Sequence, residues 1–153
     1  MKTKLFLFAA MLMMLASCGS DDESSATIYY KAICSEIKFD NPAHEEYRAK
    51  IIAALQGIQL IDDTSYFVET ASAPTVAEAA ARCDDAAQAT YRSRISSLSL
   101  LVLKQTVYNM NKEEFVAKGI GSFADLPFSN LTITFRLINS QSAQVVKEYP
   151  VSL

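Results

Sequence analysis

Apolar and polar residues alternate with different periods along this chain, and the periods divide it into elements. Thr27 to Phe39, TIYYKAICSEIKF, is rich in β-branched and aromatic residues and predicts a strand. Its alternation is imperfect, and Tyr29, Ile33 and Ile37 also fit a helical spacing of four. Asn41-Pro42 then reads as an N-cap followed by the first helical position. The helix beyond it carries Tyr47, Ile51, Leu55 and Ile58 on one stripe and ends near Gly57. Ser65 to Glu69 predicts a short strand. Thr75-Val76-Ala77-Glu78 has the form of a capping box, opening a second helix to about Arg92. Its stripe is Val76, Ala80, Cys83, Ala87 and Tyr91. Leu98 to Tyr108, LSLLVLKQTVY, predicts a long strand with its first half buried on both faces. A helical turn over Lys112 to Lys118 follows, then an irregular stretch to Asn130. Leu131 to Leu137 alternates cleanly as a strand, and Val145 to Leu153 returns as its hairpin partner. Pro150 lacks an amide donor, which puts that last strand at an edge. The order predicts an α+β fold: a two-layer sandwich of about five strands, with two helices on one face and a C-terminal β-hairpin.

A different pattern stands in front. Lys2 and Lys4 precede an unbroken apolar run, Leu5 to Ala16, LFLFAAMLMMLA. The run falls short of the ~20 residues of a membrane-spanning helix and has the length of a secretory signal. It stops at Leu15-Ala16-Ser17-Cys18, which resembles the lipobox of bacterial lipoproteins. The resemblance covers the leader alone. It implies cleavage before Cys18, a diacylglycerol on the Cys18 thiol and acylation of the new amine. Each buried CH₂ contributes about 0.8 kcal/mol, so two or three chains hold a protein where one gives only reversible attachment. Ser20-Asp21-Asp22-Glu23 resembles the acidic surface-export tag of Bacteroidota lipoproteins. Gly19 stands where an Asp would resemble the enterobacterial inner-membrane retention signal. The implied location is the outer membrane, facing the cell surface, with periplasm-facing attachment as the alternative. The chain divides into a signal peptide, 1–17, a lipidated cysteine and flexible acidic tether, 18–26, and one globular domain, 27–153. No family is recognised for that domain.

Composition adds limits. The full chain has 153 residues, 14 basic against 17 acidic. Loss of Lys2 and Lys4 makes the balance more acidic, and no basic stripe stands ready for nucleic acid. With Cys18 lipidated, Cys34 and Cys83 remain in a compartment that permits disulfides. Cys83 lies on the inward stripe of its helix, which makes a Cys34–Cys83 bridge the expectation. Closing that loop is worth about 4 kcal/mol on the chain-entropy model.

Candidate chemistry is sparse. His44 is the single histidine, and its neighbours Glu45 and Glu46 diverge by about 100° on a helix. Asp62-Asp63 falls in a turn, and Asp84-Asp85 lies mid-helix, expected to face water. No nucleophile elbow, phosphate loop or dinucleotide fingerprint occurs, and no metal or cofactor is implied. Apolar Phe123, Leu126 and Phe128 lie in the irregular stretch, where they either cap the core or form a contact loop. The expectation is a small lipid-anchored binding or accessory module of the cell envelope, not an enzyme, with a protein or glycan partner. The alternative is a small lipid-anchored hydrolase acting on glycan or peptide through Glu45, Glu46, Asp62 or Asp63.

Overall fold

The computed structural model describes residues 23–153, the side chains of 63–65 excepted. The expected signal peptide, Cys18 and the first part of the expected tether lie outside the described residues. Four strands form one antiparallel sheet: β1 (Ser24–Phe39), β2 (Asp62–Ala73), β3 (Leu131–Asn139) and β4 (Val145–Ser152), in the order β2-β1-β3-β4. Four α-helices accompany them: α1 (Arg48–Gly57), α2 (Val76–Ile95), α3 (Leu100–Met110) and α4 (Lys112–Ala117). The class is α+β, with four strands where about five were expected.

The missing fifth strand is α3. Leu98 to Tyr108 is helical because Ser99 caps it, its hydroxyl accepting from the Val102 amide at 3.2 Å. Leu103, Val107 and Tyr108 are buried at helical spacing, while Leu101 is 61% exposed. A continuous apolar run has no period that separates a buried strand from a helix, and here the capping serine decides.

The uneven alternation of β1 has a local cause. Ile28, Tyr30 and Ala32 are buried, and then a bulge between Cys34 and Glu36 passes the inward role to Ile37. One extra residue shifts every later side chain to the opposite face, so a single period cannot run through the element. β1 also starts earlier than expected. Ser24, Ser25 and Ala26, expected in the tether, pair instead with Ala73, Ser72 and Ala71 of β2. The hairpin of β3 and β4 forms as predicted, with Phe135 opposite Tyr149.

The first helix divides in two. Asn41 caps a 3₁₀ turn, Pro42–Tyr47, accepting from the Ala43 amide at 3.0 Å, and α1 begins only at Arg48. Thr75 caps α2, accepting from the Glu78 amide at 3.2 Å. The buried stripe of α2 is Ala79, Cys83, Ala87, Tyr91 and Ile95, so Val76 lies outside it and is exposed. Small residues at three of those five positions let α2 lie close against the strands. After α4, Gly119 has φ +80°, with Gly119 and Ile120 amides donating to the carbonyls of Val116 and Phe115. This is a Schellman stop, and it needs a residue that tolerates left-handed backbone.

Two aromatic groups organise the core. Tyr91 of α2 meets Tyr66, Phe135 and Tyr149 edge-on, and its hydroxyl donates to the Leu60 carbonyl at 2.9 Å. Tyr47 packs with Phe115 and Phe128, and Phe115 stacks on Tyr108. The first group joins α2 to the sheet. The second joins α3, α4, the 3₁₀ turn before α1 and the loop before β3.

Candidate functional site

Strand register creates the most developed surface feature. Tyr30 of β1 stands directly opposite Asn139, the last residue of β3. Opposed residues on paired strands project to the same face, here the face that α2 covers. α2 supplies Asp84, next to the buried Cys83, and the Tyr30 hydroxyl donates to Asp84 Oδ1 at 2.6 Å. Tyr30 is fully buried. Burial first, and the Asp84 carboxylate second, push its hydroxyl pKa far above the ordinary tyrosine value.

Around this pair runs a groove of about 360 Å³ between α2 and the β3–β4 turn. Its walls include Asp84, Asp85, Gln88, Asn139, Gln144 and Val146. The turn is held by Asn139, whose Oδ1 accepts from the Gln141 and Ser142 amides at 3.0 and 3.2 Å. Gln141 Nε2 donates to the Thr27 carbonyl, and the Ser140 amide to the Tyr29 carbonyl, which fixes the turn against β1. None of the ion pairs among the described residues includes Asp84 or Asp85. The groove is therefore acidic and lined by amides.

A second hollow of about 450 Å³ lies on the sheet, bordered by Ser35, Thr134, Arg136, Glu148 and Pro150. Although larger, it has less to offer a ligand. Arg136 donates to Glu148 at 2.5 Å, so its strongest charges satisfy each other.

The cysteines do not pair. Cys34 and Cys83 are free thiols. Cys83 Sγ lies 3.4 Å from the Ala26 carbonyl, whereas Cys34 is eight residues further along the same strand. That is about 25 Å at strand rise, against the ~7 Å limit between bridged Cα atoms. The expected Cys34–Cys83 bridge is corrected accordingly: the inward stripe aims Cys83 at the wrong end of β1. Burial pushes both thiols up, with the Glu36 backbone and Arg48 partly offsetting this at Cys34.

The contact loop is also corrected. Leu126 and Phe128 are buried, and Phe123 is partly buried against the core. Lys104 of α3 donates to the Leu126 carbonyl at 2.7 Å and sits 5.5 Å over the Phe128 ring. A cap on Ser122 and Asp125 forms the short 3₁₀ turn Phe123–Asp125 that folds the stretch back.

The acidic candidates go separate ways. Glu45 pairs with Arg48 at 2.7 Å, and that guanidinium holds its carboxyl below the usual range. Glu46 is exposed, and Asp62 stands opposite Ala32 in β2. The Asp63 side chain lies outside the described residues. His44 sits between the Phe39 and Tyr47 rings with its Nδ1 buried and without a hydrogen bond. Asp84, expected to face water, is instead engaged by Tyr30. No local pattern marks that contact, since the two residues are 54 positions apart.

Comparison with protein-family models, curated proteins and solved structures finds no match to this chain.

Proposed function

We propose that this chain is a bacterial lipoprotein, anchored in the outer membrane through Cys18 and facing the cell surface. There it acts as a small binding or accessory module of the envelope. The observation that carries the reading is the order of parts around Cys18: basic start, short apolar run, Leu15-Ala16-Ser17-Cys18, then Ser20-Asp21-Asp22-Glu23. The groove beside the Tyr30–Asp84 pair supports the binding part, because it offers unpaired polar groups in a concave surface. We further propose the two-layer arrangement, which the one-sided burial of β1 and β3 supports. Glu45 gives the hydrolase reading little support, since Arg48 occupies its carboxylate.

Protease shaving of intact cells, with mass spectrometry of the mature N-terminus, tests this. A diacylated Cys18 peptide together with released domain peptides is the expected result. A lipidated chain protected from protease would move the module to the periplasmic face. An unmodified Cys18 would overturn the anchor.

A further inference from the structure

The two faces of the sheet are unlike. In β1 and β3 the buried residues lie on the face that α2 covers, with Ile138 the exception. Ile138 stands opposite Lys31 of β1 and Val145 of β4, on the other face. Tyr29, two residues before Lys31, shares that face and stands opposite Val68 of β2. The register is visible beside it, where the Thr27 and Thr70 hydroxyls meet at 3.1 Å. A row of Val68, Tyr29, Ile138 and Val145 thus crosses all four strands. Tyr29, Val68 and Val145 are 47%, 48% and 47% exposed. Lys31, and Lys38 opposite Thr132, point the same way without an ion pair among the described residues, while Arg136 is matched by Glu148. Glu36, opposite Thr134, offsets one lysine, so this face keeps a positive excess in a chain that is acidic overall.

We propose that this row rests on the membrane that holds Cys18, with α2 and its groove turned away from the bilayer. The inference rests on the lipid-anchor reading and adds the orientation of the domain. The length of chain before the sheet carries it. Ser24 comes six positions after Cys18, so the two lie at most about 20 Å apart. Tyr29 lies five positions into β1, about 17 Å from Ser24 at strand rise. A lipid on Cys18 therefore holds this row within reach of the bilayer surface. The composition fits that surface: a tyrosine and branched apolar side chains beside lysines suit the interface of a bilayer containing anionic lipid. A second copy of the chain fits less well. Stacked sheets need apolar residues across the whole buried face, and beyond this row the face carries Thr132, Thr134, Arg136 and Glu148.

The chain has no tryptophan, so a single introduced one reports its own surroundings. The test uses the full chain, processed in cells and reconstituted into vesicles of phosphatidylethanolamine and phosphatidylglycerol, with lipid brominated on its acyl chains as the quencher. Tyr29→Trp places the reporter in the row, on a strand that accepts aromatic residues. Ala89→Trp places it at an exposed position of α2. The expected result is a blue-shifted Tyr29→Trp emission, quenched several-fold more by brominated lipid than that of Ala89→Trp. Val68→Trp gives a second reading should Tyr29→Trp misfold. Adding Val145→Asp, at an exposed position, should remove most of the quenching while leaving the thermal unfolding midpoint nearly unchanged. Equal quenching at the two reporters would overturn the proposal, as would quenching that Val145→Asp does not alter. A blue shift without quenching would overturn it in favour of a second copy on this face. Flotation of the vesicles reads anchoring separately. A lipidated chain that floats but whose Tyr29→Trp is not quenched loses this inference and keeps its anchor, and an unlipidated chain that stays out of the vesicles overturns both.

Discussion

The contact between Tyr30 and Asp84 allows a calculation whose size depends on which partner is removed. Tyr30→Phe deletes the hydroxyl that donates 2.6 Å to Asp84 Oδ1 and keeps the ring stacked on Phe67 at 5.5 Å. A hydrogen bond to a charged group is worth about 1.5–3 kcal/mol. Asp84 borders an open groove and is half-buried, so water replaces part of what it loses. The expected cost is therefore about 1–1.5 kcal/mol, at the lower end. Asp84→Ala strands the other partner. The Tyr30 hydroxyl is fully buried, and an unsatisfied buried donor adds a desolvation penalty. That variant should lose about 2–3 kcal/mol. Urea unfolding of both variants and of the double variant would give the values, and the cycle gives the coupling. The reasoning fails if Tyr30→Phe costs as much as Asp84→Ala, because the asymmetry is its whole content.

Three further outcomes follow from the geometry. Phe128→Ala, in a fully buried position against Tyr47, should cost about 3–5 kcal/mol in the same urea assay; a loss under ~1 kcal/mol would return this loop to the surface. Thiol titration of the unfolded, unreduced chain should find Cys34 and Cys83 both reactive, and reductant should leave the melting temperature of the folded chain unchanged; a reductant-sensitive melt would reinstate a bridge. Tyr30 and Tyr91 have hydroxyl pKa values raised chiefly by burial. A raised folded-state pKa gives stability that is complete below the unfolded value near 10 and lost as pH climbs above it, because the unfolded state releases its protons first. Stability should thus fall above about pH 10 by roughly 1.4 kcal/mol per pH unit per protected tyrosine. Tyrosinate absorbance should rise only with unfolding for these two, and smooth titration of every tyrosine in the folded chain would contradict the burial.

How far the sequence spoke for this fold depended on whether a signal was local. Caps were legible: Asn41 accepts from the Ala43 amide as an N-cap and Thr75 from the Glu78 amide named by its capping box. So was the β3–β4 hairpin, because Leu131 to Leu137 keeps a strict period of two. β1 was legible as a strand but not in its register, since a bulge at Cys34–Glu36 leaves no composition mark. α3 was misread because an apolar run without period carries no face, and the weight belonged on Ser99. The site was the least legible part. Asp84 and Asn139 come from elements more than 50 residues apart, and what joins them is the pairing of Tyr30 with Asn139 across strands. No spacing rule reaches that distance. The cysteine bridge failed for the same reason, residue type suggesting a role that three-dimensional placement did not assign, and of the two readings of Phe123, Leu126 and Phe128 placement selects the one that caps the core.

The length and position of β1 have a mechanical consequence. It spans 16 residues, close to 50 Å at strand rise, and lies between β2 and β3. Residue 24 begins it on the side that leads back toward Cys18. Antiparallel ladder bonds run perpendicular to the strands, so a pull applied at that end is directed along β1 and across both ladders. The bonds to β2, from Ser24 to Ala32, are then loaded in shear together, and those to β3, from Tyr30 to Phe39, take up the load beyond them. For a domain held at the proposed Cys18 anchor and dragged by flow or by a ligand at the other end, β1 would act as a load-bearing strut, strongest in the direction from which force would arrive.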